Sequence, residues 1–425
     1  MAMNTGTRPR TSARTAWFVL VILLAFSIAA PVNQSKAPPI LPILMDAFHL
    51  TVGNSGLLMS VYAMTGLILA LPAGLILQRV GFRMTGLLAG GAIIIGVVIG
   101  YLSGNLPGGP GIEMMLTGRV IEGVGTSFMA VLAPVVIAMW FTVEKRGSAM
   151  GIWSAWVPIG NTTMLLLAPL LAHDGQWQTV WVFGGLYALI TMVMFIAVIK
   201  PKAAVLPITV GDIGAAAVTS ALVTGAAGAT PVKHPHGNPL EVLRNPKLWL
   251  IGLAFGCFVM ASVSFSTYLP TYVSTVFKLP LSQAALLPSI NSMIIIIACP
   301  LGGILSDRVG TRRKLFVLGM LLCGGMVVLM GLSSLPVLAV VVVIHGAITG
   351  LVPTNIFSAG VEAVNDERQS GLAMGIIMVG QSIGMLVGPI LFGRLAETAG
   401  WPAAFVCVGA VCMLGGVAGW MSKAR

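Results

Sequence analysis

Three ionisable side chains stand inside long apolar runs of this chain: Lys36, Arg119 and Glu122. A charge at membrane depth costs about 2.5–3.5 kcal/mol on insertion scales, so it needs a partner or a cavity. Arg119 and Glu122 are three residues apart, share a helical face and can pair. Glu122 is the one carboxylate well inside an apolar run, since Glu113 and Glu362 fall at run ends. A carboxylate beside an arginine can exchange a proton when that arginine is recruited elsewhere. Lys36 has Asn33 one turn away, Gln34 beside it, and Pro31, Pro38 and Pro39 around it to loosen backbone hydrogen bonding. Such a set could hold an anion on two cations and couple it to a proton on the carboxylate. Two plainer readings stay open: Lys36 can snorkel to the interface, and Arg119 with Glu122 can serve packing alone.

Weaker candidates accompany them. His345 is a hydrogen-bond donor or proton site near neutral pH. Tyr268 and Tyr272 share a face four residues apart, with Ser264 one turn below; Tyr272 reads as an interfacial anchor and Tyr268 as the cavity candidate. Asn161, Thr162, Thr163, Asn291 and Gln381 can line a cavity, although hydrogen bonding between helices is their default. Two enzyme motifs are missing from the sequence: no P-loop and no His-Glu-x-x-His occurs. Cys257, Cys299, Cys323, Cys407 and Cys412 have no C-x-x-C spacing, and His234 and His236 are too sparse to ligate, so neither a metal nor a cofactor is expected.

The elements that must position these groups follow from composition. Of 425 residues, 57% are hydrophobic and 8% charged, with mean hydropathy +0.98, against about 25% charge in soluble chains. The lipid bilayer is therefore the partner, and the net charge of +11 is not a nucleic-acid surface, because no basic stripe with interleaved aromatics occurs. Arg8, Arg10 and Arg14 before an apolar run resemble a signal peptide, but Pro31 at the would-be cleavage point and the apolar Pro38–Met45 stretch favour an uncleaved first span.

Hydropathy predicts spans near 16–45, 53–78, 84–103, 112–140, 147–171 and 178–199, then 247–275, 282–306, 315–333, 336–361, 370–395 and 398–421. The expected fold is all-α, with twelve transmembrane helices in two six-helix bundles, 1–199 and 247–425, and a cytoplasmic connector at 200–246. At 1.5 Å per residue, Lys36, Arg119 and His345 lie about 13, 10 and 14 Å from the outer side. With both termini inside, nineteen of the 23 basic residues fall on the cytoplasmic side, as the positive-inside rule requires of an inner-membrane protein.

The two halves echo one another. Gly74-Leu-Ile-Leu-Gln-Arg-Val-Gly-Phe-Arg83 matches Gly303-Ile-Leu-Ser-Asp-Arg-Val-Gly-Thr-Arg312, and Arg146-Gly-Ser-Ala-Met-Gly151 matches Arg368-Gln-Ser-Gly-Leu-Ala-Met-Gly375. Internal repeats of this kind mark transporters. The Gly-x-x-x-Asp-Arg-x-Gly-x-Arg loop resembles the signature of the major facilitator superfamily, with Gln78 replacing the usual Asp in the first copy. Arg119-Val-Ile-Glu-Gly-Val-Gly125 is similar to that family's Arg-x-x-Gln-Gly-x-Gly motif, with Glu122 for Gln. The stretch around Ala130–Ile137 and Met150–Ala155 resembles the cyanate and nitroimidazole permease group, and Trp140-Phe141 with Glu144 and Arg146 resembles organic-anion symporters.

The resemblance implies a cavity lined by the first, fourth, seventh and tenth spans, and a charge latch of Asp307, Arg308, Arg312 and Arg79 that gates the cytoplasmic side. The expected function is secondary active transport of a small, organic anion by a monomer, coupled to a proton gradient. Lys36, Asn33, Arg119, Tyr268, His345 and Asn161 would bind substrate and Glu122 would carry the proton. Export of drugs or neutral metabolites is the alternative, and a non-transporting solute sensor a more distant one.

Overall fold

The computed structural model describes residues 13–104, 111–141, 143–199, 244–309, 312–363 and 370–422. Among these, twelve helical spans are long and apolar enough to cross a membrane, and no strand occurs. In chain order they are α1 (Arg14–Ala47), α2 (Val52–Leu69), α3 (Arg79–Leu102), α4 (Gly111–Ile137), α5 (Ser148–Leu171), α6 (Gln178–Val198), α7 (Pro246–Val276), α8 (Leu281–Cys299), α9 (Arg313–Leu332), α10 (Leu335–Phe357), α11 (Ala373–Ala399) and α12 (Trp401–Met421). They track the apolar runs because hydrocarbon offers backbone groups no partner, so each segment must satisfy its own. An even number of crossings places the start of α1 and the end of α12 on one face, called proximal below; the opposite face is distal. Most of the expected connector, 200–243, lies outside the described residues.

The first span departs from regular helix where proline forces it. Helix runs over Ala13–Gln34, a 3-10 turn over Pro38–Ile40, and helix again over Leu41–Ala47. In an uninterrupted helix the carbonyls of Gln34 and Ser35 would accept from residues 38 and 39. Both are proline and have no N–H to give. The break therefore leaves carbonyl groups that something else must satisfy.

Glycine shapes the rest. Gly81, near the start of α3, kinks the chain with φ +79°, a conformation that costs glycine little; it belongs to the repeated loop motif. In the second bundle α7 and α11 approach to backbone contact: a Cβ on Gly380 would stand 2.0 Å from the carbonyl oxygen of Gly252, and one on Gly384 2.2 Å from that of Gly256. Small residues permit this where van der Waals packing, not hydrophobicity, drives association.

The two bundles meet at the distal side. The Gly53 amide donates to Glu397 Oε2 at 2.7 Å, and the Tyr268 hydroxyl of α7 donates to the Val52 carbonyl at 3.1 Å and lies 3.2 Å from Ser55 Oγ. The same hydroxyl is 3.2 Å from the Pro389 carbonyl of α11. Elsewhere α5 packs on α8, and α7 packs on the 3-10 turn of α1.

Candidate functional site

The break in α1 is answered from α4. Arg119 sits at the third turn of that span, and its guanidinium reaches across to the broken end. Nη1 donates to the Asn33 carbonyl at 2.6 Å and Nη2 to the Gln34 carbonyl at 2.8 Å. Nε donates to the Leu58 carbonyl of α2 at 3.0 Å, Nη1 also to Glu122 Oε2 at 2.8 Å, and Nη2 also contacts Met59 Sδ at 3.6 Å. A guanidinium has five N–H donors, and here all five have an acceptor. Arg119 thus supplies the hydrogen bonds that Pro38 denies to Gln34, and its charge lies at the negative end of a helix dipole.

Glu122 joins the second cation. Its Oε1 accepts from Lys36 Nζ at 2.7 Å while Oε2 holds Arg119. Lys36 also donates to Asn33 Oδ1 at 3.1 Å, and its ammonium lies 4.4 Å from the centre of the Trp181 ring of α6. Asn33 is fixed in turn, its amide donating to the Ala29 carbonyl at 2.9 Å and the Gly184 carbonyl at 3.2 Å. Tyr62 of α2 presents its ring face 4.6 Å from the Arg119 guanidinium and donates its hydroxyl to the Ala30 carbonyl at 3.1 Å; that hydroxyl also pairs with Thr126. Lys36, Arg119, Glu122 and Asn33 are all fully buried.

One carboxylate between two cations leaves the cluster with a net charge of +1. Burying ions costs several kcal/mol each, and Coulomb attraction compensates only when the remaining donors and acceptors are also satisfied. That condition explains the surrounding carbonyls, amide and ring faces. It also distinguishes the two cations. Arg119 is committed to backbone on two other spans, whereas Lys36 is held by side chains alone, which can be exchanged.

The other candidates lie apart from this cluster or at its edge. Asn161 of α5 is half-buried and accepts from Ser35 Oγ at 2.6 Å, inside the break of α1. Tyr268 belongs to the distal seam described above, where it stacks on Phe392 at 5.0 Å. His345 of α10 is buried in the second bundle with Asn291, Thr349 and Phe265. Asn291 Nδ2 donates to the Val342 carbonyl at 2.9 Å and lies 3.1 Å from His345 Nδ1. Nδ1 is therefore an acceptor, which puts the proton of a neutral imidazole on Nε2. Arg79 is exposed at the proximal side; the side chains of Asp307, Arg308 and Arg312 lie outside the described residues. No group of three or more potential metal ligands occurs among the described residues.

Sequence reasoning passed over Tyr62, Trp181 and Gly184. Tryptophan near a span end reads as a member of an interfacial belt, and nothing in spacing alone turns Trp181 toward Lys36.

The family model for the Major Facilitator Superfamily matches residues 17–371 and 300–424. Among similar proteins, the "D-galactonate transporter" of Escherichia coli O6:H1 is 23% identical over 427 residues, covering 95% of this chain and 94% of that one. The "Probable sulfoacetate transporter SauU" of Cupriavidus necator is 20% identical over 95% of this chain and 93% of its own length. The "MFS-type transporter SLC18B1" of Rattus norvegicus is 26% identical over 98% and 88%. A solved bacterial homolog of the human lysosomal transporter Spinster, at 14% identity, superposes over 97% of this chain and 98% of its own with a TM-score of 0.77. With twelve spans in two bundles and a family match that runs through both, the chain belongs to the major facilitator superfamily and is a multi-pass membrane transporter, not an enzyme.

Proposed function

We propose that this transporter moves a small organic anion together with a proton, and that Lys36 and Glu122 are where the two meet. The carrying observation is the buried cluster of two cations sharing one carboxylate. Its spare positive charge favours an anion, and relatives spanning nearly the full length are named for galactonate and sulfoacetate, both organic anions.

The exchange follows from the geometry. With Glu122 ionised, Lys36 is occupied by Oε1 at 2.7 Å. A proton on Glu122 frees the ammonium, and an incoming carboxylate or sulfonate takes the vacated place. Proton and anion then favour each other's binding, which is the linkage that symport needs. Arg119 keeps the end of α1 in place throughout and contributes field, while Asn33 and Asn161 flank the break. Rocking of the bundles about this mid-depth site gives alternating access, with Tyr268 opening and closing the distal seam, His345 contributing from the second bundle, and Asp307, Arg308, Arg312 and Arg79 gating the proximal side. The distribution of basic residues supports a cytoplasmic proximal face in an inner membrane. One chain completes the cluster, so a monomer suffices.

Counterflow in proteoliposomes tests this reading. Vesicles preloaded with D-galactonate or sulfoacetate should accumulate the labelled compound with wild-type protein and lose accumulation by at least about ten-fold with Lys36→Met. Counterflow of neutral solutes only, or undiminished organic-anion counterflow in Lys36→Met, would overturn it.

A further inference from the structure

Span α6 reaches the cluster from outside the set of spans expected to line a cavity. Two of its residues, three apart and on one face, hold Lys36 from different sides. Trp181 lies beneath the ammonium with its ring centre 4.4 Å from Nζ. The Gly184 carbonyl accepts from the Asn33 amide at 3.2 Å, and the Oδ1 of that amide accepts from Lys36. Gly184 is also the residue whose lack of a Cβ admits Asn33: an added carbon would stand 2.4 Å from Oδ1. Trp181 is itself wedged, since a Cβ on Gly100 of α3 would stand 2.5 Å from Nε1, and Trp177 abuts its other side at 5.2 Å between ring centres. The ring has no room to follow a moving ammonium.

We infer that Trp181 and Gly184 of α6 are positioning residues for substrate, fixing the Lys36 ammonium where an organic anion meets it. The inference rests on the anion reading above. An ammonium has three donors, and here they are answered by Glu122, by Asn33 and by the ring face of Trp181. When an anion replaces Glu122, the other two remain, so Lys36 cannot extend toward the interface with its new partner. A tryptophan face suits this task because it attracts the cation through its quadrupole without competing as a counter-charge. The anion therefore finds a desolvated cation already in place, and less of its binding energy goes into ordering a flexible side chain.

Two measurements on full-length protein in detergent test this. The first is equilibrium binding of D-galactonate and of sulfoacetate. The second is mass-spectrometric labelling of Lys36 by an amine-reactive reagent, which requires no substrate. Trp181→Leu and Gly184→Ala should each weaken binding by about ten-fold and raise Lys36 labelling, while Trp181→Phe, which keeps an aromatic face, stays within about three-fold of wild type in both. A role in packing alone would lower the melting temperature of Trp181→Leu and leave affinity and labelling unchanged, and that overturns the inference. Equal loss in Trp181→Phe and Trp181→Leu overturns it too. Wild-type protein that binds neither anion, with Lys36 labelling still rising in Trp181→Leu and Gly184→Ala but not Trp181→Phe, defeats the anion reading while supporting the positioning of Lys36.

Discussion

The two bundles bury polar groups at corresponding places and by opposite means. In the first, the broken α1 meets α4 through Lys36, Glu122 and Arg119, with ion pairs of 2.7 and 2.8 Å and nearly every donor used. In the second, α7 meets α10 where Phe265 packs edge-on against His345 at 4.6 Å between ring centres, and Asn291 and Thr349 supply neutral hydrogen bonds. A neutral cluster of short-range bonds is satisfied where it stands. A charged cluster with an odd charge is satisfied only while its arrangement holds, so its stability can be exchanged for binding. Under the proposed function the charged chemistry belongs to the first bundle, and the second contributes shape and neutral packing around His345.

Substitutions can break or sharpen this contrast. The largest effect is expected for Arg119→Ala, which orphans the carbonyls of Asn33 and Gln34 at the broken end of α1 and removes one of the two cations held by Glu122. A cost of about 3–5 kcal/mol should appear as a melting transition lost or lowered by many degrees in detergent; a shift of only a degree or two would mean that the break in α1 does not depend on Arg119. Next comes Glu122→Gln, which leaves Lys36 and Arg119 facing each other with no counter-charge, at roughly 2–4 kcal/mol. Adding Lys36→Met to it should recover more than half of that loss. A double variant no more stable than Glu122→Gln would show that the pair is not coupled. In the second bundle His345→Ala should cost about 1–2 kcal/mol, the scale of neutral hydrogen bonds and packing. Thr349→Val is expected to cost least, about 0.5–1 kcal/mol, and anion binding should survive both. If His345→Ala abolished binding while keeping the melting temperature, the second bundle would be carrying substrate chemistry and the contrast would fail.

Much of this was legible before the structure. Spans follow from apolar length, and the twelve observed spans track the twelve hydropathy runs. Lys36, Arg119 and Glu122 stand out because a charge in an apolar run demands an explanation, and the three-residue spacing of Arg119 and Glu122 implies their pairing. The remaining facts need coordinates that sequence does not encode locally. Residue count gives depth along a span but not the direction a side chain faces; for that reason Tyr268 and His345, at depths comparable to Lys36, lie in the distal seam and the second bundle. The carbonyl load on Arg119 was half visible, since Pro38 and Pro39 announce missing donors without saying who replaces them. Trp181 was hidden because its position near a span end has an ordinary interfacial explanation.

The most direct test of the account is proton movement accompanying anion movement. Proteoliposomes with a pH-sensitive dye inside should acidify when an inward gradient of D-galactonate or sulfoacetate is imposed on wild-type protein, and Glu122→Gln should carry the anion without acidification. Anion uptake by wild type with no change of internal pH, or acidification that persists in Glu122→Gln, would contradict the assignment of the proton to Glu122.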